Sequence, residues 1–235
     1  MDTRTRHALK QDSFAQATAS SFSWLSGHRT GVMRWAVSAV AVLVLVVAAL
    51  IYWNWSSAQA NVALGSALDT YVAPLAQPGA PVEKNVYTSA AERSKAANGQ
   101  FLAVAKQYGW LAEGAKAHYF AGVTYEELGQ TASAEAELKA AAGSWDRNPA
   151  NLAKLALAGL YHQTARDTQA IELYNELTAK PSETVSANVA QLDLADLYVA
   201  AGKQEQARAL WAKVKDADKD GPAGAIAAQK LTPRQ

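Results

Sequence analysis

The 235-residue chain contains no cysteine and only four histidines. The first absence excludes disulfide bridges, thiolate metal sites and cysteine nucleophiles, and it is consistent with an oxidising compartment. None of the histidines has a second histidine or a carboxylate at the spacing of a zinc-binding HExxH motif, and no glycine-rich phosphate loop is present. They are His7, His28, His118 and His162. We therefore expect no enzyme, no metal, no cofactor and no small-molecule substrate.

The acidic segment DADKDGP, residues 216–222, places aspartates at alternate positions, as a calcium loop does. Such a loop has glycine at its sixth position and a bidentate glutamate at its twelfth. Gly221 stands sixth from Asp216, but Ala227 stands twelfth, so the bidentate ligand is missing. This segment is interpreted as a solvated turn. The domain after the apolar run is slightly acidic and lacks a basic face, so we expect no nucleic-acid partner.

Charged residues are absent from one long stretch, Trp35 to Trp53, which has the sequence WAVSAVAVLVLVVAALIYW. As a helix rising about 1.5 Å per residue, it is about 28 Å long, close to the ~30 Å hydrocarbon core of a bilayer. The tryptophans at its two ends, together with Trp55, are typical of the headgroup level. We predict a transmembrane helix within residues 32–55, rather than the buried core helix of a soluble domain.

A second interpretation of this stretch is a signal peptide, because Ala58-Gln59-Ala60 resembles a signal peptidase site. The hydrophobic part of a signal peptide usually has about 7–15 residues and follows a short basic segment. Here 34 residues precede a run of 19. These lengths favour a retained anchor.

Charge on the two sides of the run differs in sign, with +3 up to Arg34 and −2 after Trp55. Basic residues are retained on the cytoplasmic side of a membrane, and no Lys or Arg follows the run until Lys84. The expected topology is a single pass through the membrane, with the N-terminus cytoplasmic and the C-terminal domain outside.

The predicted layout has four parts: a cytoplasmic tail at 1–31, the span at 32–55, a helical stalk and Pro/Gly linker at 56–89, and a repeat domain at 90–231. The tail is either weakly ordered or an amphipathic helix on the inner leaflet. The apolar face of that helix would comprise Phe14, Phe22, Trp24 and Leu25. The linker is marked by Pro74, Pro78, Gly79 and Pro81. A capping box at Ser89 and Glu92 predicts a helix that runs to about Tyr108.

Three segments of the repeat domain share one pattern when they are aligned on Tyr125, Tyr161 and Tyr198, which are 36 and 37 residues apart. A small residue lies three residues before each tyrosine. An alanine lies nine residues after the tyrosine, and a bulky residue lies thirteen residues after it. These positions are Gly122, Ala158 and Ala195, then Ala134, Ala170 and Ala207, then Leu138, Tyr174 and Trp211. This is the tetratricopeptide pattern, in which small residues let two antiparallel helices approach closely and large ones fill the groove beside them.

The predicted fold class is therefore all-α: a single N-terminal transmembrane helix followed by an α-solenoid of degenerate tetratricopeptide-like helix pairs. Gly129 and Gly202 mark turns, and Asn148-Pro149 is interpreted as a cap with proline at the first helical position. Stacked pairs present a concave surface lined by the first helix of each pair. We predict partner contacts there from Tyr119, Val123, Glu126, Glu127, His162, Gln163 and Asp196.

The layout resembles the YfgM type of bacterial membrane protein, through the span ending in YWNW, the Tyr108-Gly109 element and the late GKQEQARALW of residues 202–211. This resemblance implies a protein of the bacterial inner membrane with a periplasmic C-terminal domain. It also implies an ancillary component of the Sec translocon that works with a membrane-anchored periplasmic chaperone. Its expected partners are translocon subunits, a periplasmic chaperone or a nascent polypeptide, with the membrane contacted through Trp35–Trp53. A scaffold of another envelope complex stays open as the alternative.

Overall fold

The computed structural model describes residues 29–76 and 86–232, and within these ranges the regular structure is helical, with one isolated bridge between Leu75 and Tyr87. Predictions for residues 1–28 and for the linker residues Pro78, Gly79 and Pro81 lie outside the described ranges. The helices are α1 Arg29–Tyr71, α2 Ala90–Tyr108, α3 Ala112–Glu127, α4 Thr131–Ala142, α5 Arg147–Gln163, α6 Asp167–Ala179, α7 Ala187–Ala200, α8 Gln204–Ala217 and α9 Pro222–Leu231.

The chain divides into two compact units, Met1–Trp55 and Ser56–Gln235. The first unit contributes the N-terminal part of α1, where the described side chains from Met33 to Trp55 are all exposed. Within the described residues, α1 is the one helix long and apolar enough to cross a membrane. Its exposed leucines and tryptophans would be costly in water, since burial of such a side chain is worth about 1.5–3 kcal/mol.

The second unit begins with the last turns of α1, residues 56–71, which were predicted above as a stalk. This segment packs against α2 and α3, in a cluster that includes Leu64, Phe101 and Ala117. Its buried side chains at Ser56, Ala60, Leu64 and Ala67 are spaced three or four apart on one stripe. Most of them are small, so the helix axes can approach closely.

Three helix pairs follow, formed by α3 with α4, α5 with α6, and α7 with α8, and α9 packs on the last pair. The nine residues aligned by the sequence pattern are buried in them. A Cβ placed on Gly122 would lie 2.6 Å from Cγ of Leu138, so the small and bulky positions of a repeat meet. These contacts confirm the all-helical, tetratricopeptide-like fold class.

The turn between the two helices has one geometry in all three pairs. The residue four after each tyrosine has a positive φ: +71° at Gly129, +57° at Ala165 and +73° at Gly202. The backbone N–H of the next residue donates to the tyrosine carbonyl at 2.7–2.8 Å, as in Tyr161 with Arg166. This is the Schellman motif, in which a left-handed residue lets the last carbonyls of a helix be satisfied.

Ala165 is the one non-glycine residue with a positive φ in the described part of the chain. We expect Ala165→Gly to raise the free energy of unfolding by about 0.5–1 kcal/mol. The relief of a left-handed side chain, about 1–2 kcal/mol, is partly offset by the freedom of glycine in the unfolded chain. Urea unfolding in detergent, followed by circular dichroism, measures this, and Gly202→Ala should shift the midpoint the opposite way. A decrease with Ala165→Gly would contradict the turn geometry.

Two predicted helix starts differ in detail. Ser89 caps α2 by accepting from the N–H of Glu92, but the Glu92 carboxylate accepts from the N–H and hydroxyl of Thr88 rather than from Ser89. The second difference is at α5, whose cap is Asp146 and not Asn148. Asp146 Oδ1 accepts from the N–H of Asn148 at 2.9 Å, which places Pro149 third in the helix. A proline is compatible with that position because the first N–H groups of a helix have no internal acceptor.

Candidate partner-binding site

The first helices of neighbouring repeats are joined directly on the predicted binding surface. Nε2 of Gln163, at the end of α5, donates to Glu126 at the end of α3 at 2.9 Å. We use the name groove face for the seven residues predicted to contact a partner: Tyr119, Val123, Glu126, Glu127, His162, Gln163 and Asp196. Two helices of different repeats thus place polar groups of this face side by side.

Tyr119 and Val123 contribute half-buried apolar surface to α3. The Tyr119 ring packs edge-on against Phe120, with 5.1 Å between ring centroids. Burial raises the pKa of the Tyr119 hydroxyl above its usual value, and the nearby charge of Glu126 raises it further. The tyrosine is therefore a neutral, anchored group beside a carboxylate, suited to packing against an apolar side chain of a partner.

His162 lies one residue before Gln163, with 38% of its side chain exposed. Its Nδ1 is 2.7 Å from Oδ1 of Asp167, the first residue of α6. The carboxylate fixes the orientation of the ring, which leaves Nε2 as the ring nitrogen available for an outside contact.

Glu127 differs from Glu126, because its carboxylate binds residues of the two helices that precede the first repeat. Its Oε1 accepts from the Tyr71 hydroxyl at 2.6 Å, and its Oε2 accepts from the buried Ser94 hydroxyl. Tyr71 ends α1 and Ser94 lies in α2. Glu127 therefore ties the first repeat to the helices before it.

Asp196, on α7, is the predicted residue farthest along the chain, and Lys230 of α9 binds its carboxylate at 2.5 and 2.6 Å. Lys230 also lies 5.7 Å from the ring centroid of Trp211. Beside this pair is an open cleft of about 650 Å³, lined by residues that include Val199, Arg208 and Ile226. The sequence pattern identified Trp211 as a repeat residue, but it gave no sign that α9 would place a lysine over it.

The remaining polar clusters have internal partners. His118 Nδ1 is 2.6 Å from Glu137, on the second helix of the same pair. In the predicted turn at 216–222, Asp218 accepts from the N–H groups of Ala223 and Gly224, at 3.0 and 3.1 Å. This carboxylate therefore stabilises the start of α9. The described residues contain no group of three or more potential metal ligands.

Glu135 forms a charged network at the joint between the first and second repeats. It lies 2.7 Å from Lys139 on its own helix and 2.8 Å from Arg166 in the next repeat. Arg166 also stacks over the Tyr161 ring, 4.3 Å from its centroid. Hydrogen bonds from Arg166 and Lys139 lower the pKa of Glu135 to about 2. Arg166 thus links the turn of one repeat to the second helix of the repeat before it.

We expect Arg166→Gln to raise the pKa of Glu135 from about 2 towards the ordinary value of about 4.3. A depressed pKa in the folded state means that the carboxylate stabilises the fold fully above about pH 4.3 and loses this effect as the pH falls towards 2. NMR titration of glutamate side-chain carbons measures the shift. Arg208→Gln, in the third repeat, is the matched control and should leave Glu135 unchanged, whereas an equal shift in both variants would contradict the network.

This arrangement defines a helical-repeat protein with tetratricopeptide-like pairs and a polar and apolar face on its first helices. No protein-family model matches the chain, and no curated protein matches it. Solved structures that are similar include two of a Podosopora anserina putative kinesin light chain with nearly identical TPR-like repeats, one of them a form with a single substitution. Each aligns at 16% identity, covering 59% of this chain and 76% of the other, with a TM-score of 0.49.

Proposed function

We propose that this chain is a membrane-anchored protein-interaction module of the bacterial inner membrane. It acts as an ancillary component of the Sec translocon or of the periplasmic chaperone network. Its helical domain holds a protein partner near the outer face of the membrane. The observation on which this rests is the groove face, where Glu126 and Gln163 of successive repeats meet beside the half-buried Tyr119.

Anchoring is supported by the exposed apolar surface of α1. Side chains such as Trp35, at 80% exposure, and Leu43, at 62%, are not covered by the described part of the chain. Hydrocarbon covers such a surface without cost to the backbone, because a helix satisfies its own N–H and C=O groups. The basic excess before the run supports a cytoplasmic N-terminus.

Retention of the anchor is supported by the structure around Ala58-Gln59-Ala60, the segment that resembles a signal peptidase site. Ala60 lies inside α1 and is fully buried. A protease needs an extended, accessible segment, so once the domain has folded, helical packing at this residue opposes cleavage after Ala60. The domain then stays attached to the membrane.

Binding rather than catalysis is supported by the groove chemistry. Tyr119 offers apolar area. The carboxylate of Glu126, two turns further along the same helix, and the ring of His162, on α5 of the next repeat, offer hydrogen-bonding groups. Such a surface suits a helical or extended segment with apolar side chains and a few basic groups. The translocon and chaperone assignment comes from the YfgM-type resemblance, which concerns layout and the repeat positions.

The partner class is tested by affinity purification of the full chain in mild detergent. We expect translocon subunits or a periplasmic chaperone to be recovered with the native protein. A groove variant with Glu126, His162 and Gln163 replaced by alanine should recover severalfold less. Its matched control replaces exposed residues on second helices, Gln169, Asn175 and Lys213. Recovery of a different envelope complex without translocon subunits would overturn the translocon assignment and identify the alternative scaffold role.

A further inference from the structure

The stacked helices of the second unit have two edges, one at each end of the helices. Hydrogen bonds between residues distant in sequence show which helix ends lie at each edge. At one edge lie the C-terminal ends of the first helices. Tyr71 of α1 contacts Glu127 of α3 at 2.6 Å, and Gln163 of α5 contacts Glu126 at 2.9 Å. Residues 56–71, α3 and α5 therefore run in parallel and end together.

The N-terminal ends of the same helices lie at the second edge. Ser57 and Asn61, in the first turns of the unit, both donate to Glu113 in the first turn of α3 at 3.0 Å. Thr184, in the turn before α7, donates to the carbonyl of Asn148 at the start of α5 at 2.8 Å. This edge, which we call the entry edge, therefore holds Ser56 and the turns that precede α3, α5 and α7.

Two of these turns carry an exposed tryptophan. Trp110, before α3, is 43% exposed, and Trp145, before α5, is 67% exposed. The other edge of the three repeats, opposite the entry edge, has the turns 128–130, 164–166 and 201–203. These turns contain no aromatic residue. Exposed indole rings are therefore concentrated on the side of the unit where the chain enters it.

Exposed basic residues lie beside both turns, together with the half-buried carboxylate of Asp146, which caps α5. Lys106 is exposed in the last turn of α2, and Arg147 is exposed at the start of α5. The turn before α9, which is farthest from Ser56 along the repeats, has instead Asp218, Lys219 and Asp220. Indole rings favour the headgroup level, and lysine and arginine interact favourably with anionic headgroups. The nearer part of the entry edge therefore has the composition of a lipid-contacting surface.

We propose that the entry edge rests on the headgroups of an anionic bilayer through Trp110 and Trp145. This inference depends on the proposed anchoring, because Ser56 directly follows the apolar segment in the chain. The chain is then held to the membrane by the span and by a second, peripheral contact. The opposite edge, with Glu126 and Gln163, is directed away from the lipid and towards a partner.

The absence of cysteine permits a direct test with single spin labels on the full chain in anionic-lipid nanodiscs. Gly143→Cys reports on the entry edge, where a Cβ would lie 3.6 Å from the nearest backbone oxygen, an ordinary contact. Gln130→Cys is the control at the opposite edge, and Ala41→Cys reports on the span. Collision with oxygen relative to a water-soluble nickel chelate measures depth.

We expect the collision ratio at residue 143 to be severalfold higher than at residue 130, and Trp145→Ser to reduce this difference. Equal ratios at 143 and 130, with residue 41 in hydrocarbon, would overturn the entry-edge contact and leave the anchoring intact. A water-exposed label at residue 41 would instead overturn the anchoring proposal. Circular dichroism of the Trp145→Ser variant verifies that the fold is retained.

Discussion

Gly114→Ala is expected to lower the free energy of unfolding of the helical domain by about 3 kcal/mol, at the upper end for overpacking. Gly114 lies in the first turns of α3, where a Cβ would overlap the carbonyl group of Tyr108 and Cα of Gly109. These are backbone atoms, so no side chain can rotate to make room. The turn between α2 and α3 would have to open, and that would separate the first repeat from the helices before it.

The matched control is Gly99→Ala in the middle of α2, where no heavy atom lies within 4 Å of the added Cβ. Alanine should stabilise this helix by about 0.5–1 kcal/mol, because glycine has more conformational freedom to lose on folding. Urea unfolding of the full chain in detergent compares the two variants. Similar destabilisation by both would show that helix propensity, and not the close approach at Gly114, sets the effect.

Glu127→Ala is expected to cost about 2 kcal/mol, because it removes the acceptor of two hydroxyl groups. One of them, on Ser94, is 2% exposed and would lose its hydrogen-bond partner. The neighbouring substitution Glu126→Ala removes only an exposed contact with Gln163 and should change stability by less than about 0.5 kcal/mol.

Unfolding midpoints and partner capture measured on the same two variants separate stability from binding. We expect Glu127→Ala to lower the midpoint, and Glu126→Ala to lower capture at an unchanged midpoint. The reverse assignment of the two effects would contradict the roles given to this pair. It would mean that Glu127 is the contact residue and that Glu126 holds the repeats together.

The repeat pairs could be predicted from the sequence because their signal comes from residue volume at fixed spacing. Gly122 and Leu138 are sixteen residues apart in the chain, and in the fold the Leu138 side chain packs against Gly122. The positive φ at Ala165 has no sequence signal of its own, since alanine rarely adopts it. Only the alignment with Gly129 and Gly202 indicates it, and in this way repetition gives information that a single residue lacks.

Packing of residues 56–71 could not be predicted from apolar periodicity. The apolar residues Val62, Leu64, Leu68 and Val72 are near helical spacing in the sequence, yet Val62 and Val72 are 72% and 70% exposed. The buried stripe uses alanine and serine around Leu64. Small side chains contribute little hydrophobic signal, and their effect on packing depends on how closely a neighbouring helix can approach.

The hydrogen bonds between residues of the groove face could not be predicted from the sequence. Residue spacing placed Gln163 and Glu126 on first helices, and only the packing of two repeats brings their side chains to 2.9 Å. The same holds for Lys230 and Asp196, since α9 falls outside the three aligned segments. Contacts between repeats depend on the rotation of one pair against the next, which a local pattern does not encode.

Photo-crosslinking in living cells from the groove face tests the central claim, that this face of an anchored helical domain binds a protein partner. A photoreactive residue at Gln163 is compared with one at Asn175, which is exposed on the second helix of the same repeat. We expect Gln163 to yield a discrete crosslinked partner from the translocon or the chaperone network, and Asn175 to yield little. Equal crosslinking from both positions, or a partner captured only from Asn175, would contradict binding through the groove face.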